Sequence, residues 1–314
     1  MGATAPRRDA MTQVAPASPG DAPVAGAGAS TPAALLEFLH AHPRLFVLSG
    51  AGLSTASGIP AYRDDEGRWM RRQPIDAREF ARDPMARRRY WARSLVGWPL
   101  LGQARPNAGH LALARLQAAG FVQRIVTQNV DGLHQAAGSR DVLELHGNIG
   151  EVVCLDCGGR SPRDELQQRL EAANPEFVAR RAAPAPDGDA DLAQEDLGSF
   201  EVPACGACGG VLKPHVVFFG DAVPRQRVDA ALHELRQARA VLVVGSSLML
   251  QSGYRFFVAA QRLGIALAAI NLGTTRADPL LALKVRRPCA DALTELADAV
   301  GCAPRPDPDN PPEL

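Results

Sequence analysis

Lysine is almost missing from this 314-residue chain: Lys213 and Lys284 are the only two, and the other 32 of the 34 basic residues (34 − 2) are arginine. With the abundant Ala and Pro, this reads as codon usage in a GC-rich genome and carries no functional argument. Net charge is missing too, since 34 Asp and Glu balance the 34 Lys and Arg. A chain so balanced has no general electrostatic reason to seek nucleic acid or an anionic membrane. No run of about 18 apolar residues occurs, so no membrane span is expected. The first 30 residues lack the apolar stretch of a secretory signal, and Asp9 and Asp21 with no amphipathic period make a poor transit peptide. That segment reads as a flexible tail, as does the Pro-rich stretch 303–314. Cysteine is sparse but ordered: four of the six fall into two Cys-x-x-Cys pairs, which without a signal argue for metal, not disulfides. A reducing, cytoplasmic location is expected.

What is present suits one large domain with a small one appended. Thr31 followed by PAALLEFLHAH predicts a capped helix with Pro at its first position. RLFVLS at 44–49 predicts a buried strand ending in Gly50. A Gly/Ser-rich loop follows, then an Arg-rich helical insertion at about 67–105. HLALARLQAAG predicts an amphipathic helix and FVQRIVTQN a strand. Beyond the middle of the chain, VVFF, DAALHELRQA, AVLVVGSS, YRFFVAAQRLG, IALAAINLG and ADALTELADAVG alternate strand with helix. Apolar strands alternating with helices predict a doubly wound, parallel Rossmann-type sheet of the α/β class. It is built from 31–150 and 211–302, with a small zinc-binding module inserted at 151–210.

GAGLSTASGIP sits where the first phosphate-binding turn of a Rossmann unit belongs. Gly50 and Gly52 let backbone approach a phosphate, although the third glycine of the fingerprint is missing. GSS at 245–247 and NLG at 271–273 also end predicted strands, where a nucleotide would lie. In the inserted segment, Cys154-x-x-Cys157 and Cys205-x-x-Cys208 offer four thiolates in two knuckles, with Gly158, Gly206 and Gly209 permitting tight turns. Four thiolates make a closed, structural zinc site without an open position.

These motifs together resemble the sirtuins. GAGLSTASGIPAYRD, TQNVDGLH, ELHG, the two Cys pairs, LKPHVVFFGD, GSSL and NLG occur in that family's order. RRRYWARSLVGWP (87–99), APDGD (185–189) and SGYRF (252–256) resemble its class II branch, including the mitochondrial members. The resemblance implies an NAD-dependent protein-lysine deacylase that moves the acyl group to ADP-ribose and releases nicotinamide and O-acyl-ADP-ribose. NAD is the implied co-substrate, one zinc ion the structural metal, and acyl-lysine proteins or peptides the partners. His146 is implied as general base, an imidazole titrating near neutrality being suited to it. Gln128, Asn129 and Asp131 would surround the nicotinamide ribose and carboxamide. Gly50, Ala51, Gly52, Leu53, Ser54, Ser57, Gly58, Ile59 and Pro60 would form the cofactor loop, with the aromatic–Arg pair Tyr62 and Arg63. Gly245, Ser246 and Ser247 would hold phosphate, while Asn271, Leu272, Gly273 and Cys289 would lie near the adenosine half. Val217, Phe218, Phe219 and Gly220 would add a strand to an extended peptide.

Tyr90-x-x-Arg93 resembles the pair with which some sirtuins hold an acyl carboxylate, one turn apart on a helix. Two positions depart from the family pattern: Ala61 replaces an acidic residue in the cofactor loop, and Asp221 stands where many members carry Glu. Rival readings are a protein ADP-ribosyltransferase or a lipoamidase on the same scaffold. A zinc ribbon that binds nucleic acid is a third, and both the neutral charge and the acidic residues Asp187, Asp189, Asp191, Glu195 and Asp196 argue against it. Oligomeric state is left open.

Overall fold

The computed structural model describes residues 31–70, 75–178 and 197–302. The two expected tails, the APDGD stretch and the acidic residues just named lie outside the described residues.

The first element of the described residues is α1 (Pro32–Ala41), where the Thr31 side chain accepts from the Ala34 N–H and Pro32 fills the first turn. β1 (Leu45–Ser49) follows, all five residues buried. The glycine-rich stretch expected as a loop is instead a short 3-10 helix, Ala51–Ser57, closed by Gly58 in the left-handed region. The Arg-rich insertion forms α2 (Ala77–Arg82) and α3 (Pro84–Gly102). Next come α4 (Ala108–Ala118), β2 (Val122–Thr127), the single turn α5 (Leu133–Ala136) and β3 (Leu143–Glu144).

A second sheet interrupts the first. β4 (Gly147–Cys154) pairs antiparallel with β5 (Arg160–Pro162) and with β6 (Leu212–Val216), with α6 (Arg163–Ala173) and α7 (Pro175–Val178) between. The expected strand VVFF is therefore corrected: the strand is LKPHV and ends at Val216. Its partner β4 begins at Gly147, opposite Val216, so beyond Val216 the ladder with β4 gives way to single contacts, the first from the Val217 N–H to the His146 carbonyl (2.8 Å).

Alternation then resumes with α8 (Arg225–Gln237), β7 (Ala240–Val244), α9 (Gln251–Arg262), β8 (Ala266–Ile270), β9 (Leu283–Val285) and α10 (Cys289–Ala299). The large sheet is parallel throughout, in the order β3-β2-β1-β7-β8-β9. Successive strand residues face opposite sides. Leu45 and Val47 pack with α1, α4 and α10 through Leu35, Leu113 and Leu293. Phe46 and Leu48 pack with α8 and α9 through Leu235, Phe256 and Phe257. The strand order runs outward from β1 one way and from β7 the other, so the crevice between the ends of β1 and β7 is the topological switch point where such folds bind ligands.

Candidate active site

At that switch point the turn after β1 and the turn after β7 touch. A Cβ on Gly50 would lie 2.8 Å from the Ser246 Cβ, and one on Gly52 would lie 2.9 Å from the Gly245 carbonyl oxygen. Gly245 itself has φ +60°, and a side chain there would run into the Gly52–Leu53 peptide. The glycines thus let two backbones meet where phosphates would sit. A cleft of about 620 Å³ opens above them.

Most of the cofactor residues named from the sequence line this cleft: Gly50 to Ser54, Ile59, Tyr62 and Arg63 from the first turn, Gly245 to Ser247, Asn271 to Gly273, and Cys289. Ser57, Gly58 and Pro60 are not among its lining residues. Ser57 faces away, its Oγ accepting from Asn107 Nδ2 (2.9 Å), and Gly58 serves the end of the 3-10 helix. Cys289 sits under Ile270, and burial pushes its thiol up to about 12, so it is an unreactive wall.

The polar cluster beyond β2 is tightly wired. Ser54 Oγ donates to Asp131 Oδ2 (2.7 Å), while Asn129 Nδ2 donates to Ser54 Oγ (3.0 Å) and to the Gly50 carbonyl (3.1 Å). The Leu133 N–H donates to Asp131 Oδ1 (3.0 Å), and Gln128 Nε2 donates to Ser246 Oγ (2.8 Å). The cluster therefore spans both halves of the sheet. Gly253 has a part here that the sequence did not signal: a Cβ there would lie 2.5 Å from Gln128 Oε1.

His146 follows β3 and lines the same cleft. Its Nδ1 lies 2.8 Å from the Gln128 carbonyl oxygen, and its Nε2 lies 2.9 Å from Ser252 Oγ. A carbonyl only accepts, so Nδ1 carries the hydrogen and Nε2 keeps the lone pair. Burial lowers the imidazole pKa, with Arg227 and Arg255 pressing the same way and the Gln128 carbonyl opposing them. The ring is thus neutral at physiological pH, with Nε2 as a free base.

The cofactor loop closes on itself without a carboxylate at Ala61. Asp64 accepts from the Arg68 N–H (2.8 Å) and side chain (3.0 Å), and the Tyr62 carbonyl accepts from the Met70 N–H (3.0 Å). The Arg63 guanidinium lies 4.1 Å from the centre of the Trp69 ring and donates to the Gly67 carbonyl (2.7 Å). Trp69 in turn meets Phe219 edge-on at 5.4 Å. The sequence reading missed Trp69, whose place depends on a contact 150 residues distant. Asp221 lies 3.7 Å from Lys213 Nζ, which sits over the Phe218 ring at 4.0 Å.

Val217 to Gly220 line the cleft outside any strand, and the Phe219 carbonyl accepts from the Ala77 N–H (2.8 Å). Tyr90 and Arg93 are not brought to it. The Tyr90 ring is buried against Phe80, Trp91 and Phe218, one ring behind the cleft wall. Of α3, Tyr90 packs into an aromatic cluster and Leu101 is the residue that lines the cleft.

The metal-ligating set is compact. All four sulfurs of Cys154, Cys157, Cys205 and Cys208 lie within 4.8 Å of one another, Cys154 to Cys208 at 3.5 Å and Cys157 to Cys205 at 3.9 Å. Tetrahedral zinc with Zn–S bonds of about 2.3 Å requires sulfurs about 3.8 Å apart, so the set fits. The two knuckles repeat one backbone pattern. The Gly158 N–H donates to the Cys154 carbonyl (3.0 Å) and the Gly209 N–H to the Cys205 carbonyl (2.8 Å), both glycines at positive φ. N–H groups of Ala207 and Cys208 lower the Cys205 thiol to about 7, whereas Cys208, against the Gly210 N–H, is pushed up to about 12 by the Cys154 and Cys157 side chains beside it.

A parallel sheet in this order, with polar loops meeting at its switch point, defines a dinucleotide-site protein of the doubly wound class. The Sir2 family profile matches residues 50–252. An NAD-dependent protein deacetylase of Bordetella bronchiseptica is 60% identical over 263 residues, covering 84% of this chain and 96% of the relative. One from Xanthomonas campestris pv. campestris is 59% identical over 263 residues, covering 84% and 90%. Among solved structures, a Sir2–p53 peptide–NAD+ complex is 27% identical with TM-score 0.67, covering 86% of this chain and 98% of that one. Sir2Tm bound to a propionylated peptide is 29% identical with TM-score 0.69, covering 86% and 98%. The chain belongs to the Sir2 family.

Proposed function

We propose that this protein removes acyl groups, acetyl first among them, from protein lysines at the expense of NAD. The observation that carries the reading is a neutral His146 whose Nε2 lone pair sits in the cleft next to the Ser54–Asn129–Asp131 cluster. NAD, when bound, would supply an electrophilic ribose carbon, to which the acyl-lysine carbonyl oxygen would bond as nicotinamide leaves, before any base is needed. The paired turns at Gly50–Gly52 and Gly245–Ser246 would hold its phosphates, and Asn129 and Asp131 would orient the nicotinamide end. Val217 to Gly220 would pair with the peptide, leaving the apolar wall of Val216 and Phe218 beside the acyl chain. His146 then takes a proton at Nε2 from the sugar hydroxyl that must attack the acyl carbon.

The four thiols, set as a metal cradle, fit a reducing compartment, and cytoplasmic residence follows from that reading. Among the described residues no helix is long and apolar enough to cross a membrane.

An acyl-lysine peptide panel with NAD tests the function, by nicotinamide, deacylated peptide and O-acyl-ADP-ribose released together. His146→Tyr should lower turnover by at least ~100-fold while NAD still binds. Nicotinamide release with ADP-ribose left on protein, and no deacylated peptide, would establish the transferase instead.

A further inference from the structure

We propose that Ser252 is a positioning residue of the reaction, holding the working nitrogen of His146 in both of its protonation states. Ser252 lies in the first turn of α9, 106 residues along the chain from His146, and both line the cleft. Its Oγ is 2.9 Å from His146 Nε2, the nitrogen left with the lone pair once Nδ1–H is committed to the Gln128 carbonyl. The Gln128 bond alone fixes one edge of the ring. With Ser252 on the other, a ring flip would break both bonds, so the imidazole stays aimed.

The hydroxyl also suits the change of state that a base undergoes. While the imidazole is neutral, Ser252 O–H donates to Nε2. Nε2 has one lone pair, so the sugar hydroxyl displaces the Ser252 O–H from it to hand over its proton, and the Ser252 oxygen then accepts from the new Nε2–H. The second bond is charge-assisted and therefore the stronger of the two. The charged side chains that bear on the ring are Arg227 of α8 and Arg255 of α9, both of which oppose the protonated form, as burial does. Among the polar contacts of the ring, Ser252 is thus the group on the Nε2 side that relieves the cost of protonating it. Gly253 beside it leaves room for Gln128, so the start of α9 braces both the base and the residue that fixes its tautomer.

The test has one arm that needs no NAD and one that rests on the deacylase reading. In NAD-free protein carrying ¹⁵N-histidine, Ser252→Ala should move the His146 titration down by about half a pH unit or more. Ser252→Thr, which keeps the hydroxyl, should restore it. In the kinetic arm, Ser252→Ala should slow formation of deacetylated peptide by ~10-fold or more. Exchange of labelled nicotinamide into NAD, which precedes the need for a base, should stay within about twofold. Should the alanine variant not fold, Ser252→Cys, similar in size and a weaker acceptor, carries the same expectations.

An unchanged His146 titration overturns the proposal, as does a threonine variant that fails to rescue. Parallel loss of exchange and deacylation also overturns it, by making Ser252 a support of the cofactor site. A wild-type protein that deacylates nothing refutes the functional reading instead, while the titration still judges Ser252.

Discussion

Two buried histidines beneath the cleft should make the fold acid-sensitive in a narrow window. His134 and His110 meet edge-on at 5.1 Å, both almost fully buried. His134 Nε2 lies 2.8 Å from Ser49 Oγ, and His110 Nδ1 accepts from the Asn107 N–H at the start of α4. His134 Nδ1 has no hydrogen-bond partner among the described residues, so a proton added there would be unpaired in the core, while His110 already carries its hydrogen on Nε2 and would have to take a second on Nδ1, against the Asn107 N–H. Burial pushes His134 down to about 3 and His110 to about 4, from an ordinary 6.5; Asp131 partly offsets the effect at His110, while His110 adds to it at His134.

Above the unfolded value both states are neutral and neither histidine affects stability. Below it the unfolded chain binds the protons and the folded protein refuses them, so stability falls until the folded values are reached. At about pH 5 each histidine costs roughly 2 kcal/mol, about 4 together, a large part of an ordinary domain stability of ~5–15 kcal/mol. Urea unfolding at about pH 7.5 and pH 5, on wild type and on His134→Gln, measures this. Loss of zinc-bound thiolates in acid affects both proteins alike, so the difference isolates the histidine. The variant should lose about 2 kcal/mol less than wild type over the interval. Parallel losses in the two proteins would refute the argument.

What could be read from the sequence is what local chemistry decides. The apolar runs LFVLS and AVLVV fill buried strands, and a strand buried on both faces must look like that. The four-cysteine cradle was legible because each knuckle is local, two thiols and a glycine at positive φ within a few residues. The glycines at 50, 52 and 245 were legible because close backbone approach tolerates little else. Long-range contact decided the rest. VVFF has strand composition, yet β6 stops at Val216 because β4 offers no further partner. Tyr90 and Arg93 are one helical turn apart, but spacing cannot say which way that face turns. Here the aromatic cluster with Phe80 and Phe218 turned Tyr90 inward. Ser252 was visible only as part of a motif, since nothing local announces a hydrogen bond to His146.

Removing zinc with a chelator, or changing Cys205→Ala, should release about one equivalent of metal and lower the melting temperature of the whole protein, because structural zinc contributes folding energy directly. A metal-free protein with unchanged melting would contradict this. Gly245→Ala would place a methyl against the Gly52–Leu53 peptide at φ +60°. At ~1–2 kcal/mol for the left-handed backbone alone, NAD affinity by calorimetry should weaken about 10-fold or more, and unchanged affinity would remove the touching turns from the phosphate site. Trp69→Leu should disturb both substrates at once. The ring carries the Arg63 guanidinium at 4.1 Å and meets Phe219, in the segment facing the peptide, at 5.4 Å. An exposed-to-buried cation–π contact is worth ~0.5–2 kcal/mol and an aromatic edge contact ~0.5–1.5 kcal/mol, and leucine keeps neither. Because one side chain bridges the cofactor loop and the peptide segment, KM for NAD and KM for peptide should rise together, each by several-fold, with a smaller change in kcat. If only the NAD value moves, Trp69 serves the loop alone and the two substrate sites are not coupled through it.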